Sequence, residues 1–241
     1  MTLKKTEIYR TSAGVDQENE IVEAIFNAVY NQRISPGTKL GETALGEIFN
    51  VSRERVRRAL FLLSNKGIVD LHSNKGAFIS SPSEKDSREV FQAREIIEAG
   101  IVRQLAARNF ESKLEILRSH LKEEDQARSD WDRPKLVRLS GEFHIILAEA
   151  TNNSLLVETL RELVTRTSLI VALLGDNIST WCPDHEHELI LSAIEKSDPD
   201  LAEKLLLEHL KKIRRGLSLT PKVSRNSLAL QEILIQDTSN E

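Results

Sequence analysis

Cysteine is almost absent from this chain of 241 residues: Cys182 is the only one, so no disulfide can form within a single chain. Aromatic residues make up only 5% of the sequence, and no apolar run reaches the length of a signal peptide core or a membrane span. These absences argue against export and against a membrane partner. We therefore expect a cytoplasmic protein that works under reducing conditions.

The remaining composition is that of a globular protein, with 40% hydrophobic and 29% charged residues. The length is sufficient for two modest hydrophobic cores. The net charge of −4 is unevenly distributed, since residues 1–80 contain 11 basic and 9 acidic residues, whereas residues 81–241 contain 22 and 28. The N-terminal part is therefore the better candidate for contact with a polyanion.

The first residues of the N-terminal part show no apolar periodicity, and we expect residues 1–17 to form a mobile arm. Beyond them, Ile21, Ile25 and Val29 recur every four residues. This spacing puts the three side chains on one face of a helix and predicts a helix over about residues 18–32.

A second and a third helix are predicted on either side of a tight turn at residues 50–52, with the third ending near residue 66. Two short strands, 68–71 and 77–79, then flank a polar stretch that ends in glycine and suits a hairpin tip. The order helix, helix, turn, helix, hairpin predicts a winged helix-turn-helix over residues 18–80.

The second part is predicted to be an all-helical bundle over residues 84–219, joined to the first by a short polar linker at residues 81–83. Its helices are expected at about 84–108, 111–128, 133–150, 154–174, 183–196 and 198–217, with breaks that include Asn109 and residues 175–183. The tail, residues 220–241, forms either one more docked helix or a frayed end. The predicted fold class is therefore mostly α.

The third helix carries four arginines within six residues, Arg53, Arg55, Arg57 and Arg58. A helical wheel puts Arg53, Glu54, Arg57 and Arg58 on an arc of roughly 140° beside the apolar arc of the same helix. A solvated charged face is the usual explanation for an isolated run of this kind. Its position after a tight turn, on the third helix of a unit with a wing, instead favours contact with DNA bases and phosphates.

Five stretches of this unit carry a family resemblance: Pro36 to Leu40, Val51 to Arg53, Val56 to Leu60, Leu63 to Val69 and Lys75 to Ile79. The pattern resembles the GntR type of winged helix. The resemblance implies that a dimer binds double-stranded operator DNA. It also implies that Arg53 and Arg57 read bases or phosphates while the wing enters the minor groove.

The DNA interface implied in this way has ten residues: Thr43, Ser52, Arg53, Glu54, Arg55, Arg57, Arg58, Asn74, Lys75 and Gly76. The sequence departs from the family at two places. GntR proteins usually have Thr-Pro where Glu54 and Arg55 stand, and often a basic residue where Thr43 stands. These departures leave the expected fold unchanged and leave the operator sequence open.

Three of the six histidines are expected to meet in the helical bundle. If the last two helices form an antiparallel hairpin, His187 and His209 lie at the same height, because they stand about equally far from its turn. His144 lies on an otherwise apolar helix face. A lone histidine in such a place is usually a hydrogen-bonded core residue, but three at one level favour a shared divalent ion, Zn²⁺ or Ni²⁺.

Further motifs extend the resemblance through the bundle, among them Arg94 to Glu98, Glu142 to His144, Asp198-Pro199 and Glu208 to Leu210. They resemble the FCD effector domain of the FadR subfamily. In metal-binding members an aspartate four residues before the first histidine completes the ligand set, and here Ser140 stands at that position.

The resemblance also implies a small carboxylate metabolite as effector, held by the metal, with Ser140 and Arg94 at the effector site. For Arg94, a simple ion pair with Glu98 one helical turn away is the alternative.

The sequence thus predicts a GntR-type transcriptional regulator, expected to act as a repressor, that dimerises and responds to an organic acid. One alternative is a metal-dependent hydrolase, because three histidines around an ion can activate water. The sequence contains none of the motifs H-E-x-x-H, G-x-S-x-G or a phosphate-binding glycine loop, so we expect no enzyme. The other alternative is an architectural DNA-binding protein that needs no effector.

Overall fold

The structure is a computed structural model that describes residues 12–107, 113–175, 185–218 and 230–235. These residues form two compact units. The first unit contains residues 12–29, 33–80 and 230–235, and the second contains residues 30–32 and most of the chain after residue 80. Within the described ranges, no helix is both long and apolar enough to cross a membrane.

The first unit contains the predicted winged helix-turn-helix. Its elements are α1 (Ser12–Tyr30), β1 (Lys39–Leu40), α2 (Glu42–Ile48), α3 (Arg53–Asn65), β2 (Val69–His72) and β3 (Gly76–Ile79). The strands form an antiparallel sheet in the order β1-β3-β2, in which Leu71 pairs with Ala77. The core is built from apolar side chains of all three helices, among them Ile25, Leu45 and Leu60.

Local signals explain where α3 begins and ends. The turn before it contains Asn50 with a φ of 51°, a left-handed conformation that asparagine tolerates. Ser52 is the N-cap, and its side chain accepts a hydrogen bond from the backbone N–H of Arg55 at 3.4 Å. Gly67 follows the helix with a φ of 72°, the conformation that ends many helices. These residues set the two ends of the helix that carries the arginines.

Two features of this unit differ from the sequence prediction. Helix α1 begins at Ser12, so residues 12–17, which we expected in a mobile arm, are helical. Adding residues to an existing helix gains a hydrogen bond for each residue fixed, so residues without an apolar pattern of their own can extend it. Strand β1 was not predicted, because two residues are too few to show an alternating pattern.

The second unit consists of helices throughout its described part. They are α4 (Glu84–Ala106), α5 (Leu114–Ser129), α6 (Arg133–Ala150), α7 (Ser154–Leu174), α8 (Glu186–Glu195) and α9 (Pro199–Arg215). Helix α9 packs along α4 and α8, and α6 packs along α5 and α7. Ser83 and Asp86 form a reciprocal capping box at the start of α4, directly after the predicted linker. The predicted breaks at Asn109 and residues 176–183, together with Cys182, lie outside the described residues.

The last described element is α10 (Leu230–Ile235), within the tail for which the sequence left two alternatives. Residues 230–235 are helical and cluster with the first unit, not with the bundle that precedes them in the chain. This favours the docked helix over the frayed end for these six residues.

Candidate DNA interface and metal centre

Helix α3 presents a basic surface to solvent. Arg53, Glu54, Arg57 and Arg58 are exposed, whereas Val56, Ala59, Leu60 and Leu63 on the other side of the helix are buried. This separation agrees with the helical wheel. Arg55 is half-buried, and Thr43 is exposed on α2.

Two of the exposed arginines already have acidic partners. Arg57 donates from Nε to Oε2 of Glu42 at 2.9 Å, which raises the pKa of its guanidinium. Arg58 donates from Nη2 to Oε1 of Glu54 at 2.8 Å. No ion pair engages Arg53 or Arg55 within the described part of the chain. Among the exposed arginines of α3, Arg53 is therefore the one that can contact an anion without first breaking an ion pair.

The wing lies beside this helix. Asn74, Lys75 and Gly76 are all exposed at its tip, where Asn74 has a φ of 62° and Gly76 a φ of 97°. Side chains from α3 and from the wing, including Arg57, Arg58 and Asn74, line one open cleft. The structure therefore brings five of the predicted residues to one cleft, Glu54, Arg57 and Arg58 from the helix and Asn74 and Gly76 from the wing.

In the second unit, the three predicted histidines meet at their Nε2 atoms. The Nε2 atom of His209 lies 3.2 Å from that of His187 and 3.3 Å from that of His144. One ligand atom of each histidine lies within 4.8 Å of the others, and all three side chains are buried. His187 also stacks on Phe143 with ring centroids 4.1 Å apart, which orients its ring.

Behind each histidine stands a carboxylate that faces the other ring nitrogen, Nδ1. Oε2 of Glu98 lies 2.6 Å from Nδ1 of His144. Oε2 of Glu124 lies 2.8 Å from Nδ1 of His187, and Oε2 of Glu186 lies 2.9 Å from Nδ1 of His209. Hydrogen bonds from Nδ1 of His187 and of His209 to their carboxylates hold the proton there, and the charge of Glu98 favours the proton on Nδ1 of His144 although that pair lacks hydrogen-bond geometry. Each Nε2 then presents a lone pair to the centre.

The protonation states agree with this arrangement. Burial lowers the pKa of His144 to about 4 and that of His209 to about 3. Burial would raise the pKa of Glu98, but Arg94 and His144 outweigh it and lower that pKa to about 2. At neutral pH His144 and His209 are therefore neutral and the carboxylate behind His144 is ionised, which are the states that a metal ligand and its support require.

The spacing of the nitrogens fits a divalent ion. Two imidazole nitrogens bound at about 2.0–2.1 Å to a tetrahedral zinc ion are about 3.3 Å apart. The two distances of 3.2 and 3.3 Å match this value. Three lone pairs that face one another have no proton to share, and a cation between them would turn this repulsion into attraction.

Ser140 and Arg94 lie beside this centre. Together with His144 they line a small cavity of about 20 Å³, room for about one water molecule. Arg94 donates from Nε to Oε1 of Glu98 at 2.5 Å, so the predicted helical ion pair is present. Its Nη2 atom is also buried and has no hydrogen-bond partner among the described residues. Ser140 lies one helical turn before His144 on α6.

Sequence reasoning missed Glu124 and Glu186 and assigned Glu98 only to Arg94. A signal was present in α5, where Leu117, His120, Glu124 and Ala127 share the buried face. A histidine and a glutamate at positions of an apolar stripe are costly to bury unless they are paired. This pattern could have indicated that α5 contributes to the centre.

A winged helix with an exposed basic recognition helix, followed by a helical domain with a buried histidine centre, defines a class of two-domain DNA-binding regulators. Residues 17–79 match the family described as bacterial regulatory proteins, gntR family, and residues 89–212 match the FCD domain. The chain belongs to the GntR family and carries an FCD domain. It is a DNA-binding transcriptional regulator and not an enzyme.

Individual relatives agree with this assignment. The HTH-type transcriptional regulator LutR of Bacillus subtilis is 30% identical over 217 residues, covering 79% of this chain and 96% of LutR. The HTH-type transcriptional repressor RspR of Escherichia coli is 27% identical over 187 residues, covering 76% and 81%.

Among solved structures, a GntR regulator from Rhodococcus shares the fold with a TM-score of 0.66 and 22% identity, covering 85% of this chain and 97% of that one.

Proposed function

We propose that this regulator binds its operator as a homodimer and that its FCD domain holds a divalent ion, Zn²⁺ or Ni²⁺, through His144, His187 and His209. A small carboxylate metabolite bound beside the ion would act as the effector. The observation that carries the proposal is the convergence of three Nε2 atoms, each with a carboxylate behind its ring.

The ion would supply a positive charge that attracts a carboxylate into a buried site. Ser140 offers only a neutral hydroxyl where metal-binding relatives have an aspartate, so positions in the coordination shell stay open to water or to the effector. Arg94 Nη2, buried and without a hydrogen-bond partner among the described residues, is the second group for that carboxylate. The cavity at these residues must widen to admit it, which gives the effector a way to change the bundle.

For DNA we propose that Arg53 and Arg57 read bases or phosphates in the major groove and that Asn74, Lys75 and Gly76 enter the minor groove. Thr43, Ser52, Glu54, Arg55 and Arg58 complete the interface. Exposure of the basic arc and of the wing tip supports this proposal. Ser52 also caps α3, so it acts partly by fixing where that helix starts.

Dimerisation is supported by apolar side chains left on the surface of the bundle. Ile96 on α4 is 77% exposed and Leu155 on α7 is 72% exposed, and these two helices pack against each other. A two-fold dimer would bury such residues and present two winged helices to two operator half-sites.

We further propose that this protein acts in the cytoplasm and that its binding to DNA represses transcription. The name of the relative RspR gives the role of a repressor for that protein.

The metal proposal is tested by calorimetric titration of the chelator-treated chain with Zn²⁺ and with Ni²⁺. We expect one site per chain, and loss of that site in His144→Ala, His187→Ala and His209→Ala. His185→Ala is the matched control, because His185 is exposed and two residues from His187. Affinity for DNA without metal should be unchanged in all four variants.

Unchanged titrations for the three buried histidines, or loss of binding in the His185 control alone, would contradict the assignment. In that case the three histidines would be polar pocket residues that hold a ligand by hydrogen bonds alone.

A further inference from the structure

Helix α10 has no part in the function described above. It lies outside both family matches, which end at residues 79 and 212. The chain reaches it from α9, the last helix of the FCD domain, yet residues 230–235 cluster with the winged-helix unit. The chain therefore returns to the DNA-binding unit after it has completed the effector domain.

The helix has one buried and one exposed side. Ile233 and Leu234 are 8% and 1% exposed, whereas Gln231 and Glu232 are exposed. A helix of six residues is too short to be stable in water alone, since nucleation costs more than a few hydrogen bonds return. Its conformation must therefore be held by packing of the two apolar side chains.

A specific polar contact ties the helix to the end of α1. Nη1 of Arg33 donates a hydrogen bond to the carbonyl oxygen of Ile233 at 3.1 Å. Ile233 belongs to the last turn of α10, where carbonyl groups lack partners within the helix and the helix dipole is negative. The guanidinium of Arg33 therefore caps the C-terminal end of α10 with a positive charge.

The backbone of Arg33 is itself fixed. Gln32 adopts a left-handed φ of 54°, and the N–H groups of Arg33 and Ile34 both donate to the carbonyl of Ala28, at 2.8 and 3.2 Å. Ile34 is buried at 3% exposure. The donor that caps α10 thus lies just after α1, in the turn that bonds back to Ala28 of that helix, and the two helix ends support each other.

We propose that α10 is a docked part of the DNA-binding unit, and that it makes the C-terminal segment a second covalent connection between the FCD domain and that unit. The first connection is the linker at residues 81–83. The second starts from α9, the helix that bears His209. The DNA-binding unit is then restrained at two points of the chain, and α10 stabilises the end of α1.

The test is hydrogen exchange on the full chain, without metal and without DNA, comparing Leu234→Asp with wild type. A buried charge at position 234 should release α10, and the amides of Arg33 and Ile34 should exchange about tenfold faster or more. Exchange in α6, within the FCD domain, should stay as in wild type. Gln231→Asp is the matched control, because it introduces the same charge on the exposed side of the same helix.

Three further measurements keep the result decisive. A chain ending at Ser218 should show the same faster exchange at Arg33 and Ile34, and Arg33→Ala should speed up exchange in α10. Protection of these amides should not change when the wild-type protein is diluted, because α10 docks on its own chain. Unchanged exchange in both Leu234→Asp and the shortened chain would overturn the proposal, and so would protection that disappears on dilution.

Discussion

Oε2 of Glu98 lies 2.6 Å from Nδ1 of His144, and both side chains are buried. The other oxygen of Glu98 accepts the hydrogen bond from Arg94. One carboxylate thus connects the residue proposed to hold the metal with the residue proposed to hold the effector. Because Glu98 is ionised, it holds the guanidinium of Arg94 by a hydrogen bond, and its charge favours the proton on Nδ1 of His144 although that pair lacks hydrogen-bond geometry.

We predict that Glu98→Gln lowers zinc affinity by about 10- to 100-fold, since a neutral amide orients the ring and raises its basicity less well than a carboxylate. The measurement is calorimetric titration of the metal-free protein. Glu89→Gln, an exposed substitution on the same helix, is the control and should titrate like wild type. Equal affinities for the two variants would show that Glu98 does not support a metal ligand.

Ser140→Asp is predicted to raise zinc affinity, because an anionic oxygen one turn before His144 would add a ligand. Ser168→Asp is the matched control, since Ser168 lines the same cavity from α7 without preceding a histidine. The two variants also separate a specific ligand from a general effect of negative charge. Comparable gains in both would show that position 140 has no special relation to the ion.

Replacing Arg53 or Arg57 by alanine is predicted to weaken operator binding. The loss should be about 1–3 kcal/mol where the side chain reads a base, and the salt dependence should fall by about one ion where it neutralises a phosphate.

Gel-shift titrations at several salt concentrations, on a duplex selected from a random pool by the wild-type chain, measure both effects. Lys204→Ala, an exposed lysine of α9, should leave both unchanged. If both arginine variants bind the duplex as tightly as wild type, α3 is not part of the DNA interface.

The proposed dimer should have a mass of about twice 27.2 kDa by light scattering. Ile96→Glu should shift the protein towards the monomer, because a charge would be buried in the contact surface. Ile116→Glu on α5, also an exposed isoleucine, is the control. A wild-type chain that stays monomeric at micromolar concentration, both free and on DNA, is incompatible with the dimer.

Sequence reasoning predicted the parts of this fold that are determined by residues close together in the sequence. Helix α3 follows from its apolar spacing, its cap at Ser52 and its stop at Gly67. The approach of His187 to His209 follows from counting residues in a helical hairpin. The contact of Glu124 with His187 joins residues 63 positions apart on different helices, and no local pattern specifies such a pairing.

The docking of α10, like the contact of Glu124 with His187, depends on residues that are far apart in the sequence. Arg33 and Ile233 are 200 residues apart in the chain, and the tail has an apolar pattern that says nothing about what it packs against. Residues 12–17 were not predicted as helical for a different reason, because a helix can propagate through residues that have no apolar pattern of their own.

The most direct test of the metal centre is anomalous diffraction at the zinc absorption edge, from crystals of the metal-free protein soaked with Zn²⁺. We predict one strong peak per chain, at about 2.0–2.1 Å from the Nε2 atoms of His144, His187 and His209. A map without a peak between the three rings, or with zinc bound only by surface residues, would contradict the account.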